Sequence, residues 1–400
     1  LRKSETLFQT DMSYIVKGGS WLTLGQIVSS ASSFLLVLLF ANYAPKETYG
    51  IYKYILTIAS ILALPSLMGV NTALTQAVAR GYEGTIKPAL RTRIAWGTLG
   101  SLGGILLAGY FYIVQADVTL AGCLLIVALF SPFFDSLTAY ESILTGRKNF
   151  KTLTNYFLVM QLFSVAVMAA TIFFTTNVFL IILSYFLPWT IGRTIALLIT
   201  LHKQKPNDAM DPGTIPYGKH LSLMGVIGTI SGFADRLLVF HFLGAVEMAV
   251  YSIALAGPDN ISAVLKGANT LALPKFSESK SSDIKKSVFR KTLYFSGIVT
   301  VVVALYILAA PFLFALLFPK YMEAVLYSQV FAVSLIATSS IIPYSALQAK
   351  KAQKELYFIN TWISLFTILL LFVFMYLGGL MGLVIARVVN RFISLTSALL

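Results

Sequence analysis

Hydrophobic residues follow one another along the chain in long segments that short polar stretches separate. An α-helix needs about 20 mainly apolar residues to cross roughly 30 Å of hydrocarbon, so each segment predicts one transmembrane helix. Proline interrupts several segments, as at Pro65, Pro132 and Pro343, and we expect kinks there. The pattern gives twelve such segments, at residues 18–43, 50–79, 93–115, 118–144, 155–176, 177–201, 219–243, 246–272, 291–318, 322–348, 355–377 and 379–400.

The two halves of the chain resemble each other. Residues 40–52 can be aligned with residues 240–251, and residues 144–151 with residues 347–354, at a nearly constant offset. Because each half has an even number of helices, both halves enter the membrane from the same side, which is typical of a parallel repeat. We therefore predict an all-α, polytopic membrane protein with about twelve transmembrane helices in two pseudo-symmetric six-helix bundles.

The polar connection in the middle of the chain sets the predicted domain boundaries. Residues 1–201 form an N-terminal six-helix lobe, residues 202–218 a cytoplasmic linker, and residues 219–400 a C-terminal six-helix lobe. The loops are short on both sides of the membrane, so no separately folded catalytic domain fits between the helices. We expect a transporter and not an enzyme.

Composition and charge support the membrane assignment. The chain is 57% hydrophobic and 12% charged, with a mean hydropathy of +0.80 and a net charge of +14. The charge does not indicate nucleic-acid binding, because no soluble segment is long enough to present a basic face. Instead, 22 of the 30 basic residues lie in loops on the side of the N-terminus and three on the opposite side. The positive-inside rule then predicts a multi-pass protein of the cell (inner or plasma) membrane, with both termini cytoplasmic.

Several catalytic and cofactor sites are disfavoured. The single Cys123 and three scattered histidines offer no metal-ligand spacing, and residues 213–219 fit GxxxxGK but are followed by His220 instead of Ser or Thr. Asp135 and Glu141 are six residues apart and have no basic partner nearby in sequence, so acid-base hydrolysis is not expected. We predict no cofactor, and any active transport would be coupled to a proton or sodium gradient.

Charged residues inside the apolar segments are the candidate functional residues, because ionisable groups are costly in the membrane interior. Asp235 and Arg236 lie on a helix whose glycines recur three or four residues apart. A structural ion pair or snorkelling to the interface is the alternative for each residue alone. The pairs Gly100/Gly104 and Gly228/Gly232 favour close helix packing. The remaining intramembrane charges are Arg193, Asp259, Lys266, Arg387 and Arg391.

The chain resembles the polysaccharide-biosynthesis flippases, of lipid-linked oligosaccharide or O-antigen type, in the multidrug/oligosaccharidyl-lipid/polysaccharide exporter superfamily. The resemblance lies in KGGSWLTLGQIVSSASSFLLVLLFANYAPKETYGIYKYILTIASI from Lys17 and in FADRLLVFHFLGAVEMAVYSIALA from Phe233. It implies two six-helix lobes around a cationic cavity that alternates between inward-facing and outward-facing states. It also implies a polyprenyl-pyrophosphate sugar as substrate and, as possible partners, other polysaccharide-assembly proteins.

Net positive charge within the membrane favours a negatively charged ligand, and the resemblance implies that this ligand is an anionic lipid-linked sugar. The predicted substrate contacts are Arg236, Lys266, Arg387, Arg391 and Arg193, and the predicted coupling or ion-pairing residues are Asp235 and Asp259. The alternative is an ion-coupled antiporter for drugs or organic cations, which would favour acids and aromatic residues in its cavity. A sugar polymerase would need a large outer loop, and a structural scaffold would leave five intramembrane cations unexplained.

Overall fold

A computed structural model describes residues 12–269, 281–349 and 353–399, and this part of the chain contains helices and no strands. Short 3-10 segments join or interrupt the α-helices. The 3-10 segments are Leu64–Ser66, Glu83–Thr85, Ser136–Thr138, Pro319–Tyr321 and Val333–Ser340. The α-helices are α1 (Met12–Tyr43), α2 (Lys46–Leu62), α3 (Gly69–Ala79), α4 (Ile86–Ile113), α5 (Val118–Phe134), α6 (Ala139–Gly146), α7 (Phe150–Phe174), α8 (Val178–Gln204), α9 (Thr214–Leu243), α10 (Ala245–Asn269), α11 (Ser281–Leu317), α12 (Ala324–Ala332) and α13 (Ile341–Ala349), followed by Gln353–Leu399.

The last helical stretch, Gln353–Leu399, is a hairpin of two helices. Gly379 has φ 54° and ψ −133°, which is outside the helical region and is reached readily by glycine alone. The Thr367 hydroxyl donates a 2.7 Å hydrogen bond to Oδ1 of Asn390. In one straight helix these residues would lie roughly 35 Å apart, because each residue adds 1.5 Å. We therefore number residues 353–378 as α14 and residues 380–399 as α15.

Within the described residues, the hairpin brings the number of candidate membrane spans to twelve. In the described part of the chain, 10 helices are long and apolar enough to cross a membrane, or 11 if α2 and α3, which meet at a bend of 41°, form one broken span. One of these spans, Thr361–Leu399, has 39 residues and contains the turn at Gly379, so it crosses twice. The predicted twelve segments are thus confirmed, and so is the kink expected at Pro65.

The helices form two compact units. One contains the residues up to Leu36 and Ile58–Val226; the other contains Val37–Thr57 and the residues from Ile227 onwards. The sequence instead predicts a boundary at residues 202–218. In the structure, the end of α1 and most of α2 belong to the same compact unit as the C-terminal helices.

The two GxxxG pairs differ in their surroundings. A Cβ atom at Gly100 would lie 2.2 Å from the carbonyl oxygen of Leu62, and one at Gly104 would lie 2.9 Å from the Cβ of Ala128, so both glycines permit close approach between helices. A Cβ at Gly228 or Gly232 would meet nothing within 4 Å. The packing role expected from the sequence is therefore confirmed for the first pair and wrong for the second, whose helix face is open.

Arg93 holds two broken helices together in the first unit. Its side chain is only 1% exposed, although Arg93 stands at the first position of the apolar segment 93–115, next to a basic loop. The guanidinium donates to carbonyl oxygens at the helix breaks Leu64–Ser66 and Ser136–Thr138. Its acceptors are the carbonyl oxygens of Ser66, Asp135 and Ser136 and the side chains of Asn71 and Thr138.

Candidate functional site

Charged side chains from four helices of the second unit form the candidate site. Two lie next to each other on α9, one on α10, two lie one turn apart on α15, and one lies on α2. Lys53 on α2 belongs to the group because it interacts electrostatically with Arg236 and Asp259. We call this group the charged cluster: Lys53, Asp235, Arg236, Asp259, Arg387 and Arg391.

Asp235 is the buried centre of the charged cluster. Its side chain is fully buried, and its Oδ2 atom lies 2.9 Å from Nε of Arg387. The Tyr251 hydroxyl donates a 2.6 Å hydrogen bond to the same oxygen. The other oxygen, Oδ1, has no hydrogen-bond partner among the described residues. Asp235 therefore pairs with Arg387, which lies far along the chain, and not with its neighbour Arg236.

Arg391 makes the second ion pair of the charged cluster. Its Nη2 atom donates to Oδ1 of Asp259 at 2.9 Å, and its Nη1 atom donates to the hydroxyl of Ser334 at 2.9 Å. The guanidinium also lies over the ring of Phe331, with its carbon 4.5 Å from the ring centroid. Arg387 and Arg391 are like charges on one helix face, and each is compensated by an acid from a different helix.

The other two cations of the charged cluster form no ion pair with a described carboxylate. In the described part of the chain, no carboxylate lies within 4.0 Å of the Arg236 guanidinium or the Lys53 ammonium. Arg236 lies over the ring of Phe233 at 5.5 Å, and Lys53 over the ring of Tyr49 at 5.4 Å. Their charges are therefore available to an anion.

Lys53 is a site residue that the sequence did not predict. It lies close to the start of the apolar segment 50–79, on the side opposite the N-terminus. Close packing brings α2 against the C-terminal helices: a Cβ at Gly50 would lie 1.7 Å from the carbonyl oxygen of Ala245, and the rings of Tyr54 and Phe240 stack at 3.7 Å. A lysine inside an apolar segment was the signal that could have identified it.

Two of the predicted substrate contacts are not part of the charged cluster. The side chain of one is not described, and the other lies in the first unit. Lys266 lies on α10, but its side chain is not among the described ones, so its role stays a prediction. Arg193 belongs to the other unit, where its Nη1 atom lies 3.6 Å from Oδ1 of Asp135 and its guanidinium packs over the rings of Phe134 and Trp189. Its assignment to the substrate also stays a prediction.

Asp135 and Glu141 have no basic partner nearby in sequence, and the fold supplies their basic partners from other helices. Arg193 pairs with Asp135, and Arg193 and Arg93 both interact electrostatically with Glu141. These bases come from α8 and α4, which are distant in sequence from both acids. The four groups balance in charge, in contrast to the charged cluster, where four described cations face two carboxylates.

The arrangement suits binding of an anion. Two cations are held by carboxylates and two are not, so the charged cluster has an excess of positive charge within a hydrophobic unit. A multivalent anion with several oxygens would satisfy the two unpaired cations and could compete for the two paired arginines, since guanidinium groups bind phosphate oxygens as well as carboxylates.

Comparison with known proteins gives a family match and a fold. A model of the polysaccharide biosynthesis protein family matches residues 15–280. An uncharacterized membrane protein of Methanocaldococcus jannaschii is 24% identical over 419 aligned residues, which cover 94% of this chain and 82% of that protein.

Two solved structures show the same fold. An outward-facing multidrug resistance MATE family transporter of the MOP superfamily has a TM-score of 0.64 at 14% identity, and the match covers 98% of this chain and 97% of that one. The lipid II flippase MurJ in an inward closed conformation has a TM-score of 0.61 at 13% identity, with 96% and 87% covered. The all-α fold predicted from the sequence is therefore confirmed, and it is shared with these two proteins.

Proposed function

Because this chain belongs to the polysaccharide biosynthesis protein family, we propose that it is a flippase that moves a polyprenyl-pyrophosphate-linked sugar or oligosaccharide across the membrane. The substrate moves from the cytoplasmic to the outer leaflet by alternating access, for the synthesis of cell-surface polysaccharide. The protein lies in the inner or plasma membrane with both ends in the cytoplasm.

The observation that supports this substrate is the excess of cations in the charged cluster. A pyrophosphate diester carries two negative charges and cannot enter hydrocarbon without compensation. Arg236 and Lys53 have no carboxylate within 4.0 Å in the part of the chain that the structure describes. They are the first contacts of the head group in this proposal, and Lys266, Arg387 and Arg391 are further ones.

Gradient coupling is assigned to the two acids of the charged cluster. When the head group takes Arg387 or Arg391, the carboxylate of Asp235 or Asp259 loses its partner. A buried carboxylate without a cation is costly, so Asp235, which is fully buried, would take up a proton or a sodium ion, while Asp259 is partly exposed and has a weaker drive to do so. An imposed proton or sodium gradient across vesicles is expected to change the translocation rate.

The test is translocation in reconstituted vesicles. The probe is a fluorescent prenyl-pyrophosphate-linked N-acetylglucosamine whose label is quenched by an impermeant reductant from one side. Arg236→Ala and Lys53→Ala are each expected to slow translocation by about tenfold or more, which corresponds to loss of roughly 1.4 kcal/mol of charged contact. Lys203→Ala, at an exposed position near the end of α8, is the matched control and should leave the rate unchanged.

Wild-type rates in both Arg236→Ala and Lys53→Ala would sink the proposal. The same vesicles separate it from the antiporter alternative. An organic cation such as tetraphenylphosphonium should not be exchanged for protons, because a group with more cations than acids repels it.

A further inference from the structure

The tenth membrane span contains an unusually long 3-10 segment. Val333–Ser340 runs for eight residues between α12 and α13. Runs of 3-10 helix longer than three or four residues are uncommon, because the hydrogen-bond geometry is poorer than in an α-helix. Pro343 gives a local reason, since it removes the backbone donor that would bond to the carbonyl of Ser339. Pro343 acts only on the Ser339 end of the segment and does not account for the 3-10 geometry at the Ser334 end.

Hydrogen bonds hold this segment at both ends. The Ser296 hydroxyl of α11 donates to the Ser339 hydroxyl at 2.8 Å. At the other end, Arg391 donates to the Ser334 hydroxyl at 2.9 Å. Ser334 and Ser339 are both fully buried, so each hydroxyl depends on such a partner.

Arg391 links the segment to the charged cluster. Its guanidinium binds Asp259 through one nitrogen and Ser334 through another, and it covers the ring of Phe331. Phe331 is the second-last residue of α12 and Ser334 is the second residue of the 3-10 segment, so the guanidinium contacts both sides of the junction between the two geometries. A 3-10 helix turns about 20° more per residue than an α-helix, so an α-helical course through Val333 and Ser334 would rotate Ser334 by about 40° relative to Phe331.

We propose that Ser334 is a positioning residue through which Arg391 holds Val333–Ser340 in the 3-10 form, and that the segment converts to an α-helix when an anionic head group takes Arg391. The nature of the ligand rests on the proposed function. The dependence of the 3-10 form on the hydrogen bond between Arg391 and Ser334 is independent of the proposed function.

The conversion has a measurable size. A 3-10 helix rises about 2.0 Å per residue and an α-helix 1.5 Å, so conversion of the whole segment shortens the span by about 4 Å. The difference in turn per residue rotates α13 relative to α12 by about 160° over the segment. Binding of an anionic head group at the charged cluster would thus move the end of α13, which the head group does not contact.

The test is a distance measurement between spin labels at Leu326 and Ile342, which lie on either side of the segment. The native Cys123 is first replaced by alanine so that only these sites are labelled. Farnesyl pyrophosphate should shorten the distance by up to about 4 Å, and farnesol, which lacks the phosphates, should not. Arg391→Met and Ser334→Ala should each shorten it without ligand. Ser394→Ala is the control, because among the described residues that hydroxyl donates to the carbonyl oxygen of Asn390 in its own helix.

The outcomes separate the two proposals. An unchanged distance in both Arg391→Met and Ser334→Ala overturns the positioning role, whatever the substrate. A change in these variants without a response of the wild-type protein to farnesyl pyrophosphate supports the positioning role and counts against the proposed substrate. If farnesyl pyrophosphate binds the wild-type protein without any change in distance, the coupling between ligand and segment is overturned while the proposed function stands.

Discussion

The Nε atom of Arg387 lies 2.9 Å from Oδ2 of Asp235, a carboxylate with no exposed surface. Tyr251 donates to the same oxygen at 2.6 Å. One acid, one base and one phenol from α9, α15 and α10 thus meet inside a hydrophobic unit. The pair decides which cations of the charged cluster are free to bind an anion and which are already compensated.

Removal of one partner of this pair should destabilise the protein more than removal of both. Asp235→Asn or Arg387→Met alone leaves an uncompensated group, and loss of one partner of a buried pair costs about 3–5 kcal/mol. The double variant leaves no net charge and should cost less than either single one. Thermal unfolding in detergent, read as a double-mutant cycle, gives the coupling energy. Additive effects of the two substitutions would contradict the pairing.

Two helical glycines should respond in opposite ways to the same change. Gly50→Ala would place a Cβ 1.7 Å from the backbone of Ala245 and should force α2 away from α10, with loss of stability and of probe translocation. Gly228→Ala meets nothing within 4 Å and should be neutral or stabilising by up to about 1 kcal/mol, because alanine favours the helix. The measurement is the unfolding temperature of each variant. Equal effects would show that α2 does not pack as described.

Arg93 should tolerate neither lysine nor methionine. Its guanidinium donates to five acceptors at two helix breaks, and an ammonium group cannot reach them with the same planar geometry. Arg93→Lys should lower stability by roughly 2 kcal/mol or more, since buried carbonyl groups lose their donors. Arg91→Lys, two residues earlier on the same helix, is the control and should have a small effect. Thermal unfolding of both variants distinguishes a structural Arg93 from a dispensable one.

The polar connection between α8 and α9 should loosen in acid. The backbone N–H of Gly213 is the main cause that keeps the pKa of Asp211 below its ordinary value of 3.8, with further help from Thr214 and Arg80. A carboxyl with a lowered pKa stabilises the folded form above its ordinary pKa and loses that contribution as the pH falls. Hydrogen exchange at residues 205–213, corrected for intrinsic rates, should stay slow from pH 7 to about pH 4 and become faster below that range.

A variant separates this effect from general acid unfolding. Asp211→Asn should show faster exchange at residues 205–213 already at neutral pH, with little further change down to pH 4. The bond between Arg147 and Glu83, with Nε and Oε1 at 2.6 Å, lies nearby and is unchanged in this variant. Identical pH profiles in the wild-type protein and the variant would contradict the role of Asp211.

Much of the architecture follows from the sequence alone. The lengths of the apolar segments determine twelve membrane crossings, because backbone groups in lipid must be satisfied within a helix and a helix needs about 20 residues to cross. The residues within those segments also reveal that the interior is charged and net basic. The family resemblance follows from the same stretches.

The tertiary structure decided which charges meet. Hydropathy places a residue at a depth in the membrane but does not say which helix faces it, so the pairing of Asp235 with Arg387, the burial of Arg93 and the place of Lys53 in the charged cluster were not predictable. The same holds for the glycine pairs, since Gly100 packs against Leu62 while Gly228 faces open space. Contacts between segments far apart in sequence depend on the packing of side chains, which periodicity within one helix does not encode.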